Sequence, residues 1–167
     1  MNLRDKNLAT AFFSMLFFTL FSSYIAPFFR LAFFAPFLII AYYQKSYLGA
    51  LKSSFLCGII LDLLSSPLRF GIWTLNYLTT TALVYPQKRN FFSDSLITMP
   101  ILVFLFSFIS TVLQAVLLFI FSKPLKLSFA WIFTDLLFMP FLDSLFAFCW
   151  FVIPSFFFKL SVKRAAK

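Results

Sequence analysis

The chain has 167 residues, of which 62% are hydrophobic and 11% charged, with a formal net charge of +9. A soluble domain is roughly half apolar and about a quarter charged, and a monomer of this size cannot hide so much apolar surface from water, so the composition points to a bilayer. There is no His and no Glu, and only five acidic residues, which excludes a His-based zinc site, a Ser-His-Asp triad and a paired-glutamate acid–base site within the chain.

Six apolar runs, separated by charges and prolines, predict six membrane-spanning helices. The first covers about 8–26 and is ended by Pro27. Arg4 and Lys6 precede it, but at 19 residues it is longer than the apolar region of a signal peptide. A cut after Ala26 would also place Tyr24 where a small residue is needed, so the run reads as a retained span. The second, about 28–43, carries Arg30 near its start and Pro36 inside, which predicts a short, kinked helix. The third and fourth cover about 48–64 and 70–86. The fifth, about 96–121, is long enough to tilt. The sixth, about 136–158, contains Pro140 and Pro154, and the stretch Leu127 to Thr134 before it reads as an interfacial helical turn. In hydrocarbon each backbone N–H and C=O must be satisfied within the segment, so these runs are expected to be helical. The expected fold is an all-α polytopic membrane protein, a six-helix transmembrane bundle forming one domain over 1–167.

Charge gives the expected topology. With six spans, one side receives ten basic residues: Arg4, Lys6, Lys45, Lys52, Lys88, Arg89, Lys159, Lys163, Arg164 and Lys167. The other receives four, Arg30, Arg69, Lys123 and Lys126, which predicts that both termini are cytoplasmic. The basic clusters between apolar runs read as topology signals, not as a nucleic-acid interface, and the basic tail is expected to touch anionic lipid head groups. Cys57 and Cys149 are isolated in apolar runs and read as small packing residues.

A polar side chain inside a span costs free energy, so each one asks for a partner. Ala50, Ser54, Gly58 and Asp62 recur every four residues, a small-residue face that admits close approach of another helix and turns Asp62 toward protein. Asn76 and Thr80 share a face of the fourth span; Ser107, Ser110, Thr111 and Gln114 share one of the fifth; Asp143 and Ala147 share one of the sixth. At 1.5 Å per residue, Asp62 is expected about 4 Å below the outer boundary, and Asn76, Gln114 and Asp143 about 10 Å below it. Cross-helix hydrogen bonding accounts for such a belt, as does an outward-facing cavity or a docking face. Asp62 is expected to accept backbone N–H or hydroxyl bonds where the chain turns, with Ser65 and Ser66 as the nearest donors.

The stretch Gly58-Ile-Ile-Leu-Asp62-Leu-Leu-Ser65-Ser66-Pro67-Leu-Arg-Phe-Gly71 resembles the rod shape-determining MreD family, in which G-x-x-x-D-x-x-S closes the third helix before a turn of Gly, Ser and Pro. Gly58, Asp62, Ser65, Pro67 and Gly71 match in type and order; the turn slips by one residue and adds Arg69. The basic Gln87-Lys88-Arg89-Asn90 and the basic tail after the sixth span are similar as well. The resemblance implies a non-enzymatic component of the bacterial inner membrane, needing no cofactor. Its partners would be an MreC-like protein and the peptidoglycan synthesis enzymes of the elongasome, a RodA-type glycosyltransferase and a penicillin-binding transpeptidase. It also implies a fold similar to the substrate-binding subunits of vitamin transporters, which is the alternative function. Those subunits carry an Ala-x-x-x-Ala face on the first helix, where this chain has only Ser22-x-x-x-Ala26.

Overall fold

The computed structural model describes residues 7–25, 31–64, 70–90, 98–121 and 129–154. These form six helical segments. They are α1 (Leu8–Ile25), α2 (Phe34–Gln44), α3 (Tyr47–Leu64), α4 (Ile72–Val84, extended by a 3-10 turn over Tyr85–Asn90), α5 (Thr98–Phe121) and α6, a continuous helical run over 129–154. Among the described residues there is no strand, so the all-α bundle expected from the sequence is the fold observed.

Beside an apolar core, the bundle buries strongly polar side chains and exposes large apolar ones. Asn76, Thr80, Thr81, Ser54, Asp62 and Asp143 are buried, while Leu48, Leu63, Phe119 and Phe133 point outward. Apolar solvent explains both halves of this pattern, since lipid tails accept the outer Phe and Leu side chains and drive polar groups to find partners inside. Among the described residues, three helices, Tyr47–Leu64, Thr98–Phe121 and Ile132–Val152, are long and apolar enough to cross a membrane.

The centre of the bundle is α2. All nine residues from Phe34 to Tyr42 are buried, as expected of a helix that is apolar on every side. Eleven residues rise only about 16 Å, roughly half the hydrocarbon thickness. The short helix was expected, but the kink is not what Pro36 produces. Pro36 stands third in α2, in the first turn, where its missing N–H has no intrahelical acceptor to disappoint. It starts the helix rather than bending it.

α1 lies against α2 and α6 through aromatic rings. Phe12 meets Phe34 and Phe37 at 6.1 and 5.3 Å, and Phe18 meets Phe146 and Trp150 at 5.2 and 4.7 Å. The Trp150 indole N–H donates to Ser14 Oγ at 2.9 Å. Part of the phenylalanine excess is therefore interhelical packing.

Among the described residues α6 is already helical at Phe129, so Trp131 to Thr134 belong to the same helical run and not to a separate interfacial turn. Over Ile132–Phe138 it widens to π-helical spacing, with the N–H of Met139 donating to the carbonyl of Thr134. The widened turn ends at Pro140, which has no N–H with which to continue the ladder. Cys57 is buried, as a packing residue should be; Cys149 is exposed on the apolar surface of α6 instead.

Candidate functional site: the polar seams between helices

The tightest seam joins α3 to α4. A Cβ built on Gly58 would lie 2.5 Å from the Cα of Thr74 and 3.1 Å from its N. Backbone cannot swing aside as a long side chain can, so only glycine fits. Gly58→Ala is expected to lower bundle stability by about 1–3 kcal/mol through overpacking. Unfolding in detergent checks this, and an unchanged midpoint contradicts the close crossing.

One turn beyond Gly58, Asp62 is 7% exposed. Its Oδ1 accepts the N–H of Trp73 at 3.0 Å, and its Oδ2 accepts the N–H of Thr74 at 3.0 Å and the Thr74 hydroxyl at 2.6 Å. The first N–H groups of a helix have no intrahelical partner and carry its positive end. The residue at the cap position of α4 is Gly71, at φ +98°, with no side chain to offer. Asp62 supplies from α3 the cap that α4 lacks. The expected acceptor role is thus filled by donors from α4; Ser65, Ser66 and Pro67 lie outside the described residues.

Toward the other end of the seam the i+4 face continues. Ser54 Oγ donates to the carbonyl of Tyr77 at 2.7 Å and accepts from the Thr81 hydroxyl at 2.7 Å. The Tyr42 hydroxyl donates to Thr81 Oγ1 at 2.9 Å, which ties α2 into the same chain. At this end Lys88 Nζ donates to the carbonyl of Tyr42 at 2.8 Å and stands 3.8 Å over the Tyr85 ring, while Lys45 Nζ donates to Ser53 Oγ at 3.1 Å. Lys45 and Lys88 therefore gather at one end of the bundle.

A second seam joins α4, α5 and α6. Asn76 Nδ2 donates to Ser110 Oγ at 2.9 Å, and the Thr80 hydroxyl donates to Asn76 Oδ1 at 3.3 Å. Asp143, 2% exposed, reaches further: Oδ2 accepts the Ser107 hydroxyl of α5, and Oδ1 accepts the N–H of Ala32 at 2.8 Å, just ahead of α2. The sequence gives no hint of this last bond, which joins residues 111 positions apart. Both buried aspartates thus do the same thing. Each accepts a backbone N–H from the chain entering a helix that has no side-chain cap of its own.

Gln114 is buried on α5, one turn beyond Ser110. Its Nε2 and the indole N–H of Trp73 have no hydrogen-bond partner among the described residues. Because α4 and α5 run antiparallel through the Asn76–Ser110 pair, Trp73 and Gln114 lie at one level of the bundle. Among the described residues there is no cluster of metal-ligating side chains. The candidates therefore fall into three groups. Gly58, Asp62 and Gly71 meet at the entry to α4; Asn76 and Asp143 join α5 to its neighbours; Gln114 keeps an unpaired amide. Sequence reasoning missed Tyr42, Thr74, Thr81 and Trp150, whose only signal was a polar atom inside an apolar run.

Comparison of the chain with protein-family models, with curated proteins and with solved structures finds no match.

Proposed function

We propose that this chain is a non-enzymatic scaffold component of the bacterial inner membrane, acting with an MreC-like partner in the cell-wall elongation machinery, as its resemblance to MreD implies. One observation carries the reading. The two motif residues Gly58 and Asp62 converge on a single residue of the next helix, Thr74. One permits its close approach and the other caps its helix. A motif used this way serves the angle of a helical hairpin, which is what a scaffold must hold fixed for a partner. We further propose six spans with both termini cytoplasmic, from the charge bias of the sequence; Lys45, held by Ser53, and Lys88, held by the Tyr42 carbonyl, agree with it in marking one end of the bundle as basic.

Two measurements test this. Affinity purification of the full chain in mild detergent should recover an MreC-like protein or a wall-synthesis enzyme; a well-expressed chain that recovers neither refutes the role. Reporter fusions should place both termini in the cytoplasm, and termini on opposite sides refute the span count.

The unpaired donors of Trp73 and Gln114 favour one other reading, a small-molecule site in the upper bundle, as in a transporter's substrate-binding subunit. Thermal stabilisation of the purified chain by a vitamin-sized ligand would select it.

A further inference from the structure

The α3/α4 pair presents a second face, away from its polar seam. Lys52, Phe55, Leu56 and Ile59 follow the i, i+3, i+4, i+7 spacing of one helix face, and Leu75 and Leu78 of α4 stand beside them. Two adjoining hollows, of about 410 and 390 Å³, lie along this face and share Phe55 and Leu78 as walls, so they form one groove. The groove opens at Lys52 and ends at Gly71, level with Asp62. Ten residues of α3 set its length at about 15 Å, half of a roughly 30 Å hydrocarbon core and so the depth of one leaflet.

Among the described residues, the charges at its mouth are one-sided. Lys45 and Lys88 are held by Ser53 and by the Tyr42 carbonyl. Lys52 is exposed and has no hydrogen bond or ion pair among the described residues. The described carboxylates are Asp62, at the far end of α3, Asp143, held against Ser107 and Ala32, and Asp135, eight residues further from the basic end than Asp143. None neutralises the mouth of the groove.

We propose that this groove seats one anionic phospholipid from the leaflet at the basic end, its phosphate at Lys52 and an acyl chain along Phe55, Ile59 and Leu78. The acyl chain gains little over bulk lipid, because the groove and the bilayer are equally apolar; the selectivity comes from the attraction of the Lys52 ammonium to a head group of net negative charge, which a zwitterionic head group offsets with its own cation. The flexible stem of Lys52 lets its ammonium rise from the groove wall to head-group level. The inference rests on the membrane reading but not on any wall-synthesis partner.

Native mass spectrometry of the full chain, purified in mild detergent and supplied with phosphatidylglycerol or phosphatidylcholine, tests it. One phosphatidylglycerol should be retained in preference to phosphatidylcholine. Lys52→Gln should lower that retention about fivefold, the share of one basic side chain at an anionic surface, and Lys52→Arg should restore it. Lys88→Gln should leave it within about twofold, because that ammonium is already engaged by protein oxygen. Leu78→Trp, which fills the groove, should lower retention with Lys52 intact. Equal retention of the two lipids, or a Lys52→Gln chain that retains as much as the parent, overturns the proposal. So does a photo-cross-linker at Leu56 that captures a polypeptide from native membranes instead of lipid. A chain that pellets with membranes yet retains no lipid sinks this inference alone; a chain that does not pellet with membranes sinks the membrane reading itself.

Discussion

Asp62→Leu should leave the chain in the membrane and loosen it there. Replacing Asp by Leu favours insertion of α3 by roughly 3 kcal/mol at a helix centre and by less near an interface, so the amount of membrane-integrated protein should hold or rise. The same change removes the acceptor for the Trp73 and Thr74 N–H groups and for the Thr74 hydroxyl. Leaving such donors unpaired away from water costs about 1–3 kcal/mol each, not additively, so bundle stability should fall by about 2–4 kcal/mol. Partner recovery should fall further than insertion. Asp62→Asn should lose almost as much, about 2 kcal/mol, because both oxygens face N–H donors and the new amide would point its own NH2 at one of them. Quantified membrane fractions and unfolding midpoints in detergent separate the two effects. A normal midpoint in Asp62→Leu would remove the capping role, and parallel losses of insertion and assembly would make Asp62 a folding residue only.

The contrast between Asp62 and Asp143 also shows what could be read before the structure and what could not. The i+4 run Ala50, Ser54, Gly58, Asp62 was legible because helical geometry alone puts those residues on one face, and a polar group there must find protein. That Asp62 would accept from backbone or hydroxyl was legible for the same reason. Which donors it meets was not, because Trp73 and Thr74 lie across a hairpin, where the length of the turn decides the register. Asp143 was legible only as a polar residue on the face of Ala147. Its bond to Ala32 depends on α2 being drawn into the middle of the bundle. An apolar run such as 28–43 looks alike whether it faces lipid or other helices; the clue was that α2 has no polar stripe to turn inward. The same degeneracy hid the exposure of Cys149 and the Trp150–Ser14 bond.

Asp143 should respond differently to the isosteric change, and this is the sharper test of the two-cap arrangement. Its two oxygens meet one backbone N–H and one hydroxyl, and a hydroxyl can turn from donor to acceptor. In Asp143→Asn the amide oxygen can keep the N–H of Ala32 while the NH2 donates to Ser107 Oγ, so both links survive with one reversed. The cost should stay within about 1 kcal/mol. Asp143→Leu breaks both links, leaves the Ala32 N–H without its acceptor beside the central helix, and should cost about 2–4 kcal/mol. Ser107→Ala in the parent should cost about 1 kcal/mol, and in the Asp143→Leu background almost nothing more, because the hydrogen bond it removes is already gone. Unfolding midpoints of these four chains, read beside Asp62→Asn, decide the matter. The two asparagine variants must differ, with the one at 62 the weaker. If they fall together, charge and not hydrogen-bond direction governs both sites, and the picture of carboxylates matched to specific helix-entry donors is wrong.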